Sequence, residues 1–154
     1  MKHKEQYLGE IRYAIRLTQR TARLYRRIQT AGIFLLVLGG SAAMAYLSST
    51  FPTWLITIGG TFLAVASAML LAIRPADKAA QNEADVKKYQ TLMSRAVSMS
   101  VDELEKAIED ARNGDAPEIE SLREVAFNDV ALESNRPDVV VPLNITQKIL
   151  RSLA

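Results

Sequence analysis

Between Arg27 and Arg74 the chain runs for 46 residues without one charged side chain, and Ser48, Ser49, Thr50, Phe51 and Pro52 interrupt that run near its middle. Residues 28–48 and 54–73 on either side each supply about 20 apolar positions. That is what a helix rising about 1.5 Å per residue needs to cross roughly 30 Å of hydrocarbon. The pattern predicts an all-α membrane protein built on a two-helix transmembrane hairpin, with a short extracytoplasmic loop over 49–53. The first run does not resemble a secretory leader, because a strongly basic stretch of about 30 residues precedes it. The alternative is a hairpin buried in a soluble α-domain, which the length disfavours, since only about 100 residues would be left to cover two uncharged helices.

Charge is segregated along the rest of the chain. Residues 1–30 carry eight Lys/Arg against Glu5 and Glu10, a net +6, whereas residues 99–135 carry eleven Asp/Glu against Lys106, Arg112 and Arg123, a net −8. Arg20, Arg23, Arg26 and Arg27 flank the first run and Arg74, Lys78, Lys87 and Lys88 follow the second, while the loop between is uncharged. The positive-inside rule then places both termini in the cytoplasm of a bacterial inner membrane. Tyr46, Phe51 and Trp54 gather at the far boundary, where amphipathic rings favour the interface.

Residues 1–30 show helical periodicity. At 100° per residue Arg12, Arg16, Arg20, Arg23, Arg26 and Arg27 fall within an arc of about 120°, and Tyr7, Ile11, Ala14, Ile15, Thr18, Ala22 and Tyr25 lie opposite. No Pro separates this helix from the first run, so one continuous helix is expected. The stripe Arg12, Arg16, Arg20, Arg23 and Arg27 is suited to anionic headgroups, to an anionic ligand, or to the acidic module of the same or a neighbouring chain. In the second run Thr57, Gly60, Thr61, Ala64, Ser67 and Ala68 project to one side, and Leu55, Ile58, Phe62, Val65 and Met69 to the other. Small residues every fourth position let helices approach closely in lipid. Two uses follow for that face: packing on Gly32, Gly39, Gly40 and Ala43 of the first helix, or lining a pore in an oligomer.

Arg74-Pro75 is expected to end or kink the second helix. Residues 76–135 then form an acidic helical module. Its first helix runs to about Ser98, Ser100-x-x-Glu103 is a capping box that opens the next, and Asp115-x-x-Glu118 is expected to open a third. Residues 136–154 contain an extended piece at Val139, Val140 and Val141 and a short helix capped by Asn144-x-x-Gln147.

Chemistry is sparse. The chain has no Cys and a single His, so no thiolate, His-based catalytic pair or multi-His metal site is available. No glycine-rich phosphate loop or nucleophile elbow occurs. No enzymatic activity, catalytic residue, cofactor, metal or nucleic-acid partner is expected, and the absence of ionisable groups within the spans argues against coupled transport.

The basic helix leading into a two-span hairpin with a minimal loop, the Pro-marked exit, the long helix after it, and the run Asp115-Ala116-Pro117-Glu118-Ile119-Glu120-Ser121-Leu122-Arg123 together resemble the SLATT superfamily. These are bacterial two-span effector domains found beside nucleotide-sensing proteins. The resemblance covers most of residues 5–135. It implies a homo-oligomeric, pore-forming effector that permeabilises the host membrane in defence or cell suicide, with a nucleotide-sensing or other soluble protein as regulator. A second possibility is a non-conducting, membrane-anchored scaffold whose acidic helices bind a soluble partner. A third is a sensor of anionic lipid that uses Arg12 to Arg27.

Overall fold

The computed structural model describes residues 3–47 and 52–154, with their side chains except at 42–47 and 55. The chain forms α1 (Lys4–Leu47), α2 (Thr53–Ile73), α3 (Pro75–Ala96), α4 (Val101–Arg112), α5 (Arg123–Glu133) and α6 (Ile145–Leu153), with 3-10 turns at Glu120–Leu122 and Pro137–Val139. No strand occurs among the described residues. The expected loop up to Phe51, and the side chains of Ala43 and Tyr46, lie outside what is described. Two compact units result, Tyr25–Asp77 and a second made of Met1–Leu24 with Lys78–Ala154.

In the Tyr25–Asp77 unit, α1 and α2 meet at glycine. A Cβ placed on Gly39 would lie 2.7 Å from the Gly59 carbonyl oxygen and 2.8 Å from Leu63 Cβ, and one on Gly32 would strike the Leu70 side chain at 2.7 Å. The helices can approach this closely only because the two residues have no side chain. The face that α2 turns to α1 therefore holds Gly59, Leu63, Ala66 and Leu70, at helical spacing of three and four residues. Gly59 and Ala66 on it are buried. Thr57, Gly60, Thr61, Ala64 and Ala68 are all exposed and only Ser67 is half-buried, so packing on α1, one of the two uses expected for the small face, falls instead to this neighbouring arc. Geometry gives the reason. Gly59 and Ala66 flank Leu63 and Leu70 on one arc, and the glycines of α1 receive those two leucines better than a smooth small surface would.

At its end α2 stops at a left-handed residue. Arg74 has φ 48° and ψ 56°, and its N–H bonds the Leu70 carbonyl at 3.1 Å. Pro75 disfavours the right-handed helical conformation at the preceding residue and begins α3 without needing an N–H partner. Among the described residues one helical stretch, within Ile56–Ala96, is long and apolar enough to cross a membrane. Only 11% of its most apolar window is buried, unlike the core helix of a soluble domain.

The other unit is assembled around Tyr7 and Ile11 of α1, Tyr89 and Ala96 of α3, and Leu104, Ile108 and Ala111 of α4. Both expected capping boxes form. Ser100 accepts from the Glu103 N–H while Glu103 accepts from the Ser100 N–H, and Asn144 and Gln147 do the same at α6. The third start signal does not operate: residues 115–119 are not helical, and α5 begins at Arg123. The Asp115 carboxylate is already taken by Lys88 Nζ at 2.6 Å and by the Tyr89 hydroxyl at 2.5 Å, so it does not cap. Val139 lies in a 3-10 turn, and only Val140 onward is extended.

The Gly39 contact predicts a matched pair of outcomes. Gly39→Ala should loosen α1 from α2 and lower thermal stability in detergent, by about 1–3 kcal/mol for overpacking. Gly40→Ala, whose Cβ would meet nothing within 4 Å, should leave the melting temperature unchanged or slightly raised.

Candidate functional site

Two surfaces hold the residues singled out by the sequence, one in each unit. On α1 the arginine stripe faces α5 and α6. Arg20 Nη2 lies 2.7 Å from Asp129 Oδ2 and its Nε donates to the same oxygen at 2.8 Å, with side chains only 18% and 15% exposed. Arg16 pairs with Glu133 in a more open position. Arg20 Nη1 also donates to the Arg151 carbonyl at 3.0 Å, and Arg23 Nη1 to the Ala154 carbonyl at 2.9 Å. The carbonyls at the end of a helix lack intrahelical donors and carry partial negative charge, so two guanidiniums there cap α6. Arg16, Arg20 and Arg23 thus tie the last two helices to α1 within one chain. A cleft of about 270 Å³ remains between them, bordered by Gln19, Asp129, Leu132 and Glu133. Arg12 and Arg27 are exposed.

In the Tyr25–Asp77 unit, α2 divides into three arcs. One packs on α1. A second is bulky and exposed, with Ile58, Phe62, Val65 and Met69 between 40% and 59% accessible. The third carries Thr57, Gly60, Thr61, Ala64 and Ala68, and no atom lies within 4 Å of where a Gly60 Cβ would stand. The hydroxyls of Thr57, Thr61 and Ser67 donate to the carbonyls of Thr53, Thr57 and Leu63, at 3.1, 2.8 and 2.7 Å. Each hydroxyl therefore finds its acceptor within its own helix.

A third cluster escaped sequence reasoning. Lys88 Nζ sits between Asp85 at 2.8 Å and Asp115 at 2.6 Å and also donates to the Ala111 carbonyl, while Asp85 accepts from the Ala116 N–H. These contacts clamp the α4–α5 connection to α3. Asp85 and Lys88 at i,i+3 were a visible signal, but nothing in the sequence brings in Asp115. Burial first, and then the bond to Asp115, pushes the Tyr89 hydroxyl up. Burial lowers Lys88, but its bonds to Asp115 and Asp85 outweigh that and raise it. The Tyr7 hydroxyl, bonded to the Glu105 carboxylate, is pushed up to about 12. Among the described residues no group of acids and His is arranged to hold a metal.

Comparison with protein-family models, curated proteins and solved structures finds no match to this chain.

Removing Arg20 leaves Asp129 unpaired in a mostly buried position and strips a cap from α6. Arg20→Ala should cost about 2 kcal/mol in denaturant titrations, against under about 1 kcal/mol for Arg16→Ala at its exposed pair. Tyr7, Lys88 and Tyr89 all hold their protons more tightly folded than unfolded. The stability they contribute is complete below their unfolded values of 10.0 to 10.5 and is lost as pH rises above them. The denaturation midpoint should therefore fall in strong alkali, and Tyr89→Phe should flatten that fall.

Proposed function

We propose that this chain is a two-pass bacterial inner-membrane protein, both termini cytoplasmic, that homo-oligomerises through α2 and permeabilises the membrane as an effector of defence or cell suicide. The observation that carries this reading is the free arc of Thr57, Gly60, Thr61, Ala64 and Ala68. It faces away from α1, and small residues at four-residue spacing are what helices use to approach one another in lipid. The apolar exposure of Phe34 and Val37 on α1, both 61%, suits a lipid environment for the first span too. No ionisable side chain lies in either uncharged run, so permeation would be passive. The resemblance to SLATT domains adds the biological setting and a soluble, nucleotide-sensing regulator.

A non-conducting anchor is the second reading. It is favoured by the hydroxyls of Thr57, Thr61 and Ser67, which are fully engaged with the helix backbone and need no water-filled lumen. The pairing of Arg16 and Arg20 with Glu133 and Asp129 weakens its other half, because part of the acidic surface is already occupied by the chain's own basic helix.

Dye release from liposomes, paired with the mass of the purified protein in detergent, separates the two. Gly60→Leu or Ala64→Leu should cut leakage by roughly tenfold, equivalent to about 1.4 kcal/mol of assembly free energy, and reduce oligomer mass. Val65→Leu on the bulky arc should do neither. Leakage and mass unchanged in the Gly60 and Ala64 variants would refute assembly through this arc, and function surviving replacement of the hairpin by an unrelated two-span anchor would favour the scaffold.

A further inference from the structure

The last helix is turned the wrong way for a helix at the edge of a core. Gln147 is buried, its Nε2 donating to Glu124 at 2.6 Å, while Ile145, Ile149 and Leu153 are 78%, 54% and 42% exposed. Spaced at i, i+4 and i+8, these three form one apolar stripe on the outer side of α6. The helix also carries Lys148 and Arg151 and no acidic residue.

Elsewhere in the same unit, α1 and α5 leave an open cleft of about 670 Å³, walled by Tyr13, Phe127, Val130 and Val141, with Glu10, Glu124 and Arg123 at its polar margin. Gly9 also lines it, and a Cβ there would meet nothing within 4 Å, so no side chain fills the space from α1. Its size is that of a groove taking a few large side chains, and aliphatic anchors one helical turn apart are how an amphipathic helix enters such a groove. The two features differ in charge as well: the helix is basic, and the margin sets two carboxylates, of which Glu10 also meets Arg112 at 3.3 Å, against one guanidinium, Arg123, itself bonded to Glu118 at 3.2 Å. They are not available to each other within one chain. Gln147 holds the inner side of α6 to Glu124, and Arg20 and Arg23 cap its C-terminal carbonyls, so the stripe stays on the outside.

We propose that α6 of one copy seats Ile145, Ile149 and Leu153 in the α1–α5 groove of a neighbouring copy, joining chains head to tail. This deepens the oligomeric reading above and rests on it. A head-to-tail contact uses two different patches, so it closes into a ring when the rotation between copies permits. A membrane surface would also accept a basic amphipathic helix, but it would leave the groove empty.

The chain has no Cys, which makes cross-linking clean. Full-length protein carrying Ile149→Cys is mixed with full-length protein carrying Phe127→Cys, in detergent and in liposomes, and treated with a short bismaleimide. Covalent dimers in the mixture and in neither variant alone are the expected result. Ile149→Asp, at a position already exposed, should leave helicity intact and lower the mass of the assembly. Dimers from Ile149→Cys alone would mean that stripe meets stripe and would overturn the proposal. So would an unchanged mass for Ile149→Asp, or a thiol in the Ile149→Cys variant that is shielded from soluble maleimide only when anionic vesicles are added. Loss of leakage in Gly60→Leu with the mixed cross-link intact bears on α2 alone. A missing cross-link with the Gly60 effect intact removes only the α6 contact.

Discussion

The rotation of α2 about its own axis is set where Gly39 lies against the Gly59 carbonyl and Leu63. Any side chain at 39 would push the backbones apart, so this contact decides which third of α2 faces α1. Everything exposed on that helix follows from it. With Gly59, Leu63, Ala66 and Leu70 committed to the pair, the bulky arc and the small arc are both left outward. A rotation of about 100°, one residue along the helix, would instead have buried the small arc and removed the surface on which assembly is proposed to depend.

In the other unit the opposite charges of the two halves are reconciled within one chain. The +6 segment does not simply coat itself with solvent. Arg20 supplies both a carboxylate pair and a carbonyl cap, so a single guanidinium connects α1, α5 and α6. Arg23 adds a second cap from the next turn. Pairing at the partly buried Arg20 is more consequential than at Arg16, because Asp129 has less water to fall back on when its partner is lost.

Much of this is legible in the sequence itself. Helix existence followed from periodicity, and the capping boxes at Ser100 and Asn144 located two helix starts because their signal is local, within a single turn. The same signal failed at Asp115. A cap requires a free carboxylate, and Lys88 and Tyr89 had claimed it from 27 and 26 residues away, a competition no local pattern records. The small face of α2 was legible as a surface but not as to its neighbour, for a related reason. Periodicity shows which residues share a face, whereas the mate of each face depends on how side chains of the opposing helix fill its gaps. The outward stripe of α6 was the least legible feature, since an amphipathic pattern alone always suggests that the apolar side points inward.

The break at Arg74-Pro75 has a mechanical meaning. The chain joins its two units twice, once within α1 and once near the start of α3. Along α1 the ladder of backbone hydrogen bonds is unbroken from Lys4 to Leu47, so bending or twisting it strains many bonds together. Just before the second joint, still within the Tyr25–Asp77 unit, a left-handed residue precedes a proline that has no N–H to donate, and the ladder is interrupted. A non-glycine residue in that conformation carries about 1–2 kcal/mol of local strain. Bending the chain at Arg74 therefore breaks fewer backbone hydrogen bonds than bending it within α1.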